Sequence, residues 1–155
     1  MPSHLFFIGA LVFLAAQTIA VQPAAAVLGE PAASIATDKN ALGGERIAKS
    51  AGNGYEVQEI ESEATAVREY VSPEGIVFAL AWNGLVNPDL THLLGSYAAE
   101  YEQALKKTPR KPGQRSLQVT APRVVVEKWG HMRNLQGRAY APDLLPAGVT
   151  IDEIR

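Results

Sequence analysis

Between Val124 and Arg133 the sequence alternates in a way that gathers reactive side chains. Val125, Glu127, Trp129, His131 and Arg133 occupy every second position, and a strand turns every second residue to the same face. A carboxylate, an indole, an imidazole and a guanidinium would then form one row. Such a row suits an anionic or sugar-like group, with His131 able to carry a proton near neutral pH. The competing reading is a solvent-facing strand, with Trp129 partly covered and Glu127 paired to Arg133 or Arg123. One histidine without a positioned nucleophile or second carboxylate falls short of a catalytic set. His131 is therefore the catalytic candidate, a weak one, and Trp129, His131 and Arg133 are candidates for binding.

Charge supplies the second candidate surface. The chain of 155 residues carries 14 basic and 16 acidic side chains, a net of −2, but they are segregated. Residues 27–102 hold four basic and twelve acidic groups, whereas residues 103–138 hold nine basic and one acidic. Lys106, Lys107, Arg110, Lys111 and Arg115 cluster where an amphipathic helix should end and a loop begin. A polyanionic surface or an acidic envelope protein could dock there. The plainer reading is that lysines favour the negative end of a helix dipole and the others keep a loop solvated. A pI near 5.9 argues against nucleic acid.

Other chemistries are excluded by what is missing. There is no cysteine, which removes disulfides, thiolate zinc sites, thiol catalysis and covalent haem attachment. No two histidines after residue 26 stand at ligand spacing, so no metal is expected. His92 falls on the expected helix, off its leucine stripe. Ser72 lacks the glycine-flanked elbow of a hydrolase nucleophile. Gly43-Gly44 and Gly52-Asn53-Gly54 lack the lysine and the strand-to-helix setting of a phosphate loop. No cofactor is expected.

The elements that would position these residues begin near Tyr55. Tyr55 to Ile60 alternates as a strand with one wet face, and a second strand is expected over Ala66–Val71. Ser72-Pro73-Glu74-Gly75 predicts a tight turn. It leads into Ile76–Trp82, apolar on both faces as a central strand would be. Strict alternation would send Ile76, Phe78, Leu80 and Trp82 one way and the smaller Val77, Ala79 and Ala81 the other, where a helix could approach closely. Asn87 as a cap, Pro88 at the first position and Asp89 open a helix of about four to five turns. Leu90, Leu93, Leu94, Tyr97, Tyr101 and Leu105 form its apolar stripe. Gly95 inside it costs about 1 kcal/mol relative to alanine, which suggests a close crossing over the sheet. Strands are expected again at Leu117–Thr120, Arg123–Met132 and Arg138–Tyr140, with Asn134–Gly137 turning between the last two. The order of strands, helix and strands predicts an α+β domain: an antiparallel sheet of about five to six strands with one amphipathic helix on a face.

Ahead of this domain, Leu5–Ala20 is almost wholly apolar and leads through Pro23 to Ala24-Ala25-Ala26, the pattern of a secretory signal cleaved after Ala26. The run is too short for a stable membrane anchor. Residues 27–54, rich in Ala and Gly, read as a loosely structured arm, and residues 55–155 as the single α+β domain.

Several stretches together resemble a known family. They are Val67–Val71 with Gly75–Phe78; Trp82-Asn83-Gly84 with Pro88–Leu90 and Leu93–Gly95; and Gly130–Arg133 with Gly137–Tyr140 and Leu145–Val149. In these the chain is similar to the exported bacterial proteins grouped as domain of unknown function 2844. That family's members look like signal peptides leading into a short Ala-Leu-Gly-Gly start. Val27-Leu28-Gly29-Glu30 sits in that place here, and a full Ala41-Leu42-Gly43-Gly44 lies further on. The resemblance implies export and this fold, and it transfers no catalytic residue.

These readings lead to an exported, periplasmic or secreted, non-catalytic binding or assembly module of the cell envelope. The alternative is a small envelope hydrolase or transferase using His131.

Overall fold

A computed structural model describes residues 28–32, 43, 45–51 and 54–155. The expected leader, residues 1–26, lies outside the described residues, as does much of the expected arm. Among the described residues seven strands form one antiparallel sheet: β1 (Glu45–Ala51), β2 (Glu56–Glu61), β3 (Thr65–Val71), β4 (Val77–Gly84), β5 (Leu117–Thr120), β6 (Val125–His131) and β7 (Asn134–Tyr140). Their spatial order is β1-β2-β3-β4-β7-β6-β5, so β4, the most apolar strand, lies at the centre. Between β4 and β5 come α1 (Leu90–Leu94), a 3₁₀ turn (Gly95–Tyr97) and α2 (Ala98–Lys107). The fold is α+β, with six strands from Glu56 onward and β1 as a seventh.

One face of the sheet packs against the helices. Val67, Val77, Leu80, Trp82, Val119, Val126 and Ala139 meet Leu90, Leu93, Leu94, Ala98 and Tyr101 there. The other face is closed by the chain's last stretch. Ile154, with 3₁₀ turns over Pro142–Leu144 and Ile151–Glu153 beside it, covers Tyr70, Phe78, Ala79, Ala81, Val125 and Tyr140.

β4 departs from strict alternation. Tyr70 stands opposite Ala79 but Val71 opposite Val77, so Phe78 is an extra residue in the ladder. This bulge swings Phe78 onto the face of Ala79 and Ala81, and leaves Val77 with Leu80 and Trp82. The helices therefore cover the bulkier face, not the smaller one.

The helical stretch is broken, not continuous. Gly95 takes φ 45° and ψ −111°, its N–H donating to the His92 carbonyl, and α2 begins only after the 3₁₀ turn. Asp89, not Asn87, is the cap: its Oδ1 accepts from the Thr91 N–H at 2.9 Å. Asn87 instead accepts from the Trp82 indole at 3.1 Å. Trp82 lies across Gly137, its cross-strand partner, where a Cβ would overlap the indole. Gly137 is thus a ladder residue, and the β6–β7 turn is made by Met132 and Arg133, with Arg133 left-handed at φ 66°.

Part of the segment expected as an arm is built into the fold. β1 pairs along β2, and Leu28 is 0% exposed within the main core. Gly29 donates to the Val77 carbonyl at 2.7 Å, Val77 donates to the Glu30 carbonyl at 3.0 Å, and Leu28 donates to the Leu93 carbonyl at 3.1 Å. Since Val71 and Ser72 occupy the other edge of Ile76–Val77, residues 28–32 continue the lane that β7 leaves at Tyr140. One isolated leucine among small residues has no periodicity to announce it, which is why the segment reads as a tether.

Candidate functional site

The residues expected to share a face with Trp129 do so in part. Arg138, on β7 opposite Glu127, binds the Glu127 carboxylate through Nε at 2.5 Å, with 18% and 19% of the two side chains exposed. Its guanidinium also lies over the Trp129 ring, 5.8 Å from the centroid, and donates to the Ile151 carbonyl at 2.7 Å. Glu127 is therefore paired with Arg138, not with Arg133 or Arg123. Arg123 binds Glu100 and lies over Tyr97, fastening α2 to the β5–β6 turn.

His131 and Arg133 leave the row. Both are exposed at the tip of the β6–β7 hairpin. The His131 Nδ1 faces the Met132 carbonyl at 3.3 Å, and Arg133 lines a shallow depression with Glu61 and Glu63.

The basic cluster splits. Lys106 and Lys107 sit in the last turn of α2, and Lys107 faces a separate depression with Glu100 and Gln103. Arg110, Lys111 and Arg115 fold back with the loop toward the end of β6, where they line a cleft of about 420 Å³ with Gln114, Ser116 and Lys128. Among the described residues no carboxylate lines this cleft. Trp129 and Gly130 form its wall on β6. Lys128 is positioned from below, its ammonium 5.4 Å from the centre of the Tyr101 ring, while the buried Tyr101 hydroxyl has no hydrogen-bond partner among the described residues. Sequence reasoning missed Lys128. Its signal is the register, because it pairs with Leu117, at the end of the basic loop.

A second concavity, of about 300 Å³, lies around Trp129 on the face away from the helices. Arg68, Asn83, Gln136 and Arg155 surround it. Gln136 accepts from the Trp129 indole at 3.0 Å and donates to Asn134 at 2.8 Å. The Arg155 backbone is fixed by the Tyr70 hydroxyl, which donates to its carbonyl at 2.8 Å and accepts from its N–H at 2.9 Å. Burial pushes the Tyr70 hydroxyl above its ordinary value of 10.0, so it stays protonated and able to donate.

A model of the family described as protein of unknown function DUF2844 matches residues 24–154. The chain belongs to the DUF2844 family. No curated protein and no solved structure matches it. For this DUF2844 chain the structure gives Leu28-Gly29 a physical role. Leu28 fills the core, and Gly29, at φ +87°, lies where a Cβ would come within 2.9 Å of the Tyr97 ring. Of Ala41–Gly44, only Gly43 is among the described residues. Among those residues no helix is long and apolar enough to cross a membrane.

Proposed function

We propose that this DUF2844 chain is an exported, non-catalytic binding module of the cell envelope that holds a polyanionic partner in the cleft beside β6. One observation carries the reading: four cations, Arg110, Lys111, Arg115 and Lys128, converge on a cleft lined by no carboxylate among the described residues. Focusing of like charge in a concave site raises the local concentration of anions and strengthens each contact relative to an isolated surface cation. Ser116, Gln114 and Asn87 add neutral hydrogen-bonding groups to the same lining. Together these suit a chain of anionic groups more than a single compact ion.

The reading of export is supported by the apolar run Leu5–Ala20 and the small residues Ala24–Ala26, the pattern of a secretory signal, and its destination would be the periplasm or the medium. The amino terminus of the secreted product should be Val27.

The binding test uses dextran sulfate as the polyanion, with unmodified dextran as control. The native chain should retain dextran sulfate at low ionic strength and release it as salt rises. The Arg110→Glu, Lys111→Glu, Arg115→Glu variant should lose that retention with its circular dichroism unchanged. Equal retention by the variant removes the cleft from the function.

A further inference from the structure

We infer that the sheet face opposite the helices carries a second binding site, for a sugar ring bearing a carboxylate, centred on Trp129. This site shares Trp129 with the basic cleft but uses none of the cleft's cations, and so does not depend on them. Asn83, Gln136 and Trp129 are cross-strand neighbours on β4, β7 and β6. Adjacent strands lie about 4.8 Å apart, so the row spans about 10 Å, the scale of a pyranose with its substituents.

Each member of the row has a distinct capacity. The Trp129 N–H is already given to Gln136, so its indole offers apolar contact for the C–H face of a ring, not a hydrogen bond. Gln136 keeps one N–H and one lone pair after its bonds to Trp129 and Asn134. The Asn83 carboxamide is exposed and has no hydrogen-bond partner among the described residues. Paired donors and acceptors on a flat surface match adjacent hydroxyl groups.

The charge comes from the flanks. Arg68 uses Nε toward Glu59 at 3.4 Å, which leaves its terminal amino groups for a ligand. Arg155 lines the concavity from a backbone held on Tyr70. Arg138, the third guanidinium of this face, is neutralised by Glu127. Two forks with open donors suit a carboxylate, which a planar guanidinium binds bidentately.

The chain has two tryptophans, and this makes the test direct. In nitrogen–proton spectra, addition of D-glucuronate should move the indole signal of Trp129 and the side-chain amides of Gln136 and Asn83. The backbone amides of Leu93 and Leu94, buried on the helix side of the sheet, should stay in place. Trp129→Ala should weaken binding roughly tenfold or more. Asn83→Ala, at an exposed position that the fold does not depend on, should weaken it with the spectrum otherwise intact. Arg155→Gln should abolish the preference for glucuronate over glucose. The cleft variant with Arg110, Lys111 and Arg115 reversed should bind glucuronate as the native chain does. Shifts confined to residues 110–116, loss of binding in the cleft variant, equal binding of glucose, or no shift at all would each overturn the assignment.

Discussion

Replacing Leu28 by alanine tests whether the amino-terminal segment is a structural part of the domain. Leu28 is 0% exposed in the main cluster, as are Leu93 and Leu94, so deletion of its side chain should cost the same as deletion of theirs. Leu→Ala at such positions costs about 3 kcal/mol, from lost transfer energy and the cavity left behind. For a domain of this size that is a fall in Tm of about 10 °C. The segment has an escape that Leu93 lacks, since it can detach while β2–β7 remain folded. Its loss is then capped at the free energy with which residues 28–32 are docked. Four backbone hydrogen bonds, two of which make the Pro31–Ile76 bridge, hold it besides the leucine, and bonds of this kind contribute about 1 kcal/mol each. Docking therefore exceeds the cost of the cavity, and the full loss should appear. Urea unfolding followed by tryptophan fluorescence, with Leu93→Ala in parallel, measures it. A loss below about 1 kcal/mol for Leu28→Ala, beside about 3 for Leu93→Ala, would refute the reasoning and return the segment to the status of a tether.

Other outcomes follow from the same structure. Gly137→Ala should destabilise by at least about 2 kcal/mol, seen as a lower urea midpoint, because its Cβ would overlap Trp82 and the Glu127 carbonyl. Arg138→Ala should cost about 2 kcal/mol and speed hydrogen exchange at Ile154, because Arg138 joins Glu127 to the Ile151 and Ile154 carbonyls. Burial raises the hydroxyls of Tyr70 and Tyr140 above 10.0. The folded chain therefore holds protons that the unfolded chain loses. The contribution of these hydroxyls should be constant below about pH 10, and stability should fall as pH rises through and beyond it, which urea midpoints measured from neutral to alkaline pH will show.

The repeating features of the fold could be read in advance. Alternation marks β2, β3 and β6, a run apolar on both sides marks the central β4, and leucine spacing marks the helical stretch. Single-residue events escape such periodicities. The extra residue at Phe78 inverts one side chain relative to its neighbours, and nothing in the composition of Ile76–Trp82 signals it. Asn134–Gly137 has turn residues, but Gly137 is needed in the ladder under Trp82, so the turn falls to Met132 and a left-handed Arg133. Leu28 carries no pattern at all. The candidate site divides in the same way: the charges of the basic loop were evident, whereas their meeting with Lys128 depends on how β5 pairs with β6. Arg68 and Arg155 are 87 positions apart in the sequence, and only the closed sheet brings them to Trp129.

The closing of one sheet face by residues 142–155 has a consequence for the order of assembly. A polypeptide emerges amino end first, so β2, β3 and β4 can pair and the helices can dock while later residues are still unmade. Tyr70, Phe78 and Tyr140 then remain open to water, since Ile154 and the Arg155 backbone that cover them emerge afterwards. The nascent domain thus passes through a stage with one finished side and one bare aromatic side. At that stage it is most vulnerable to aggregation and to capture by chaperones.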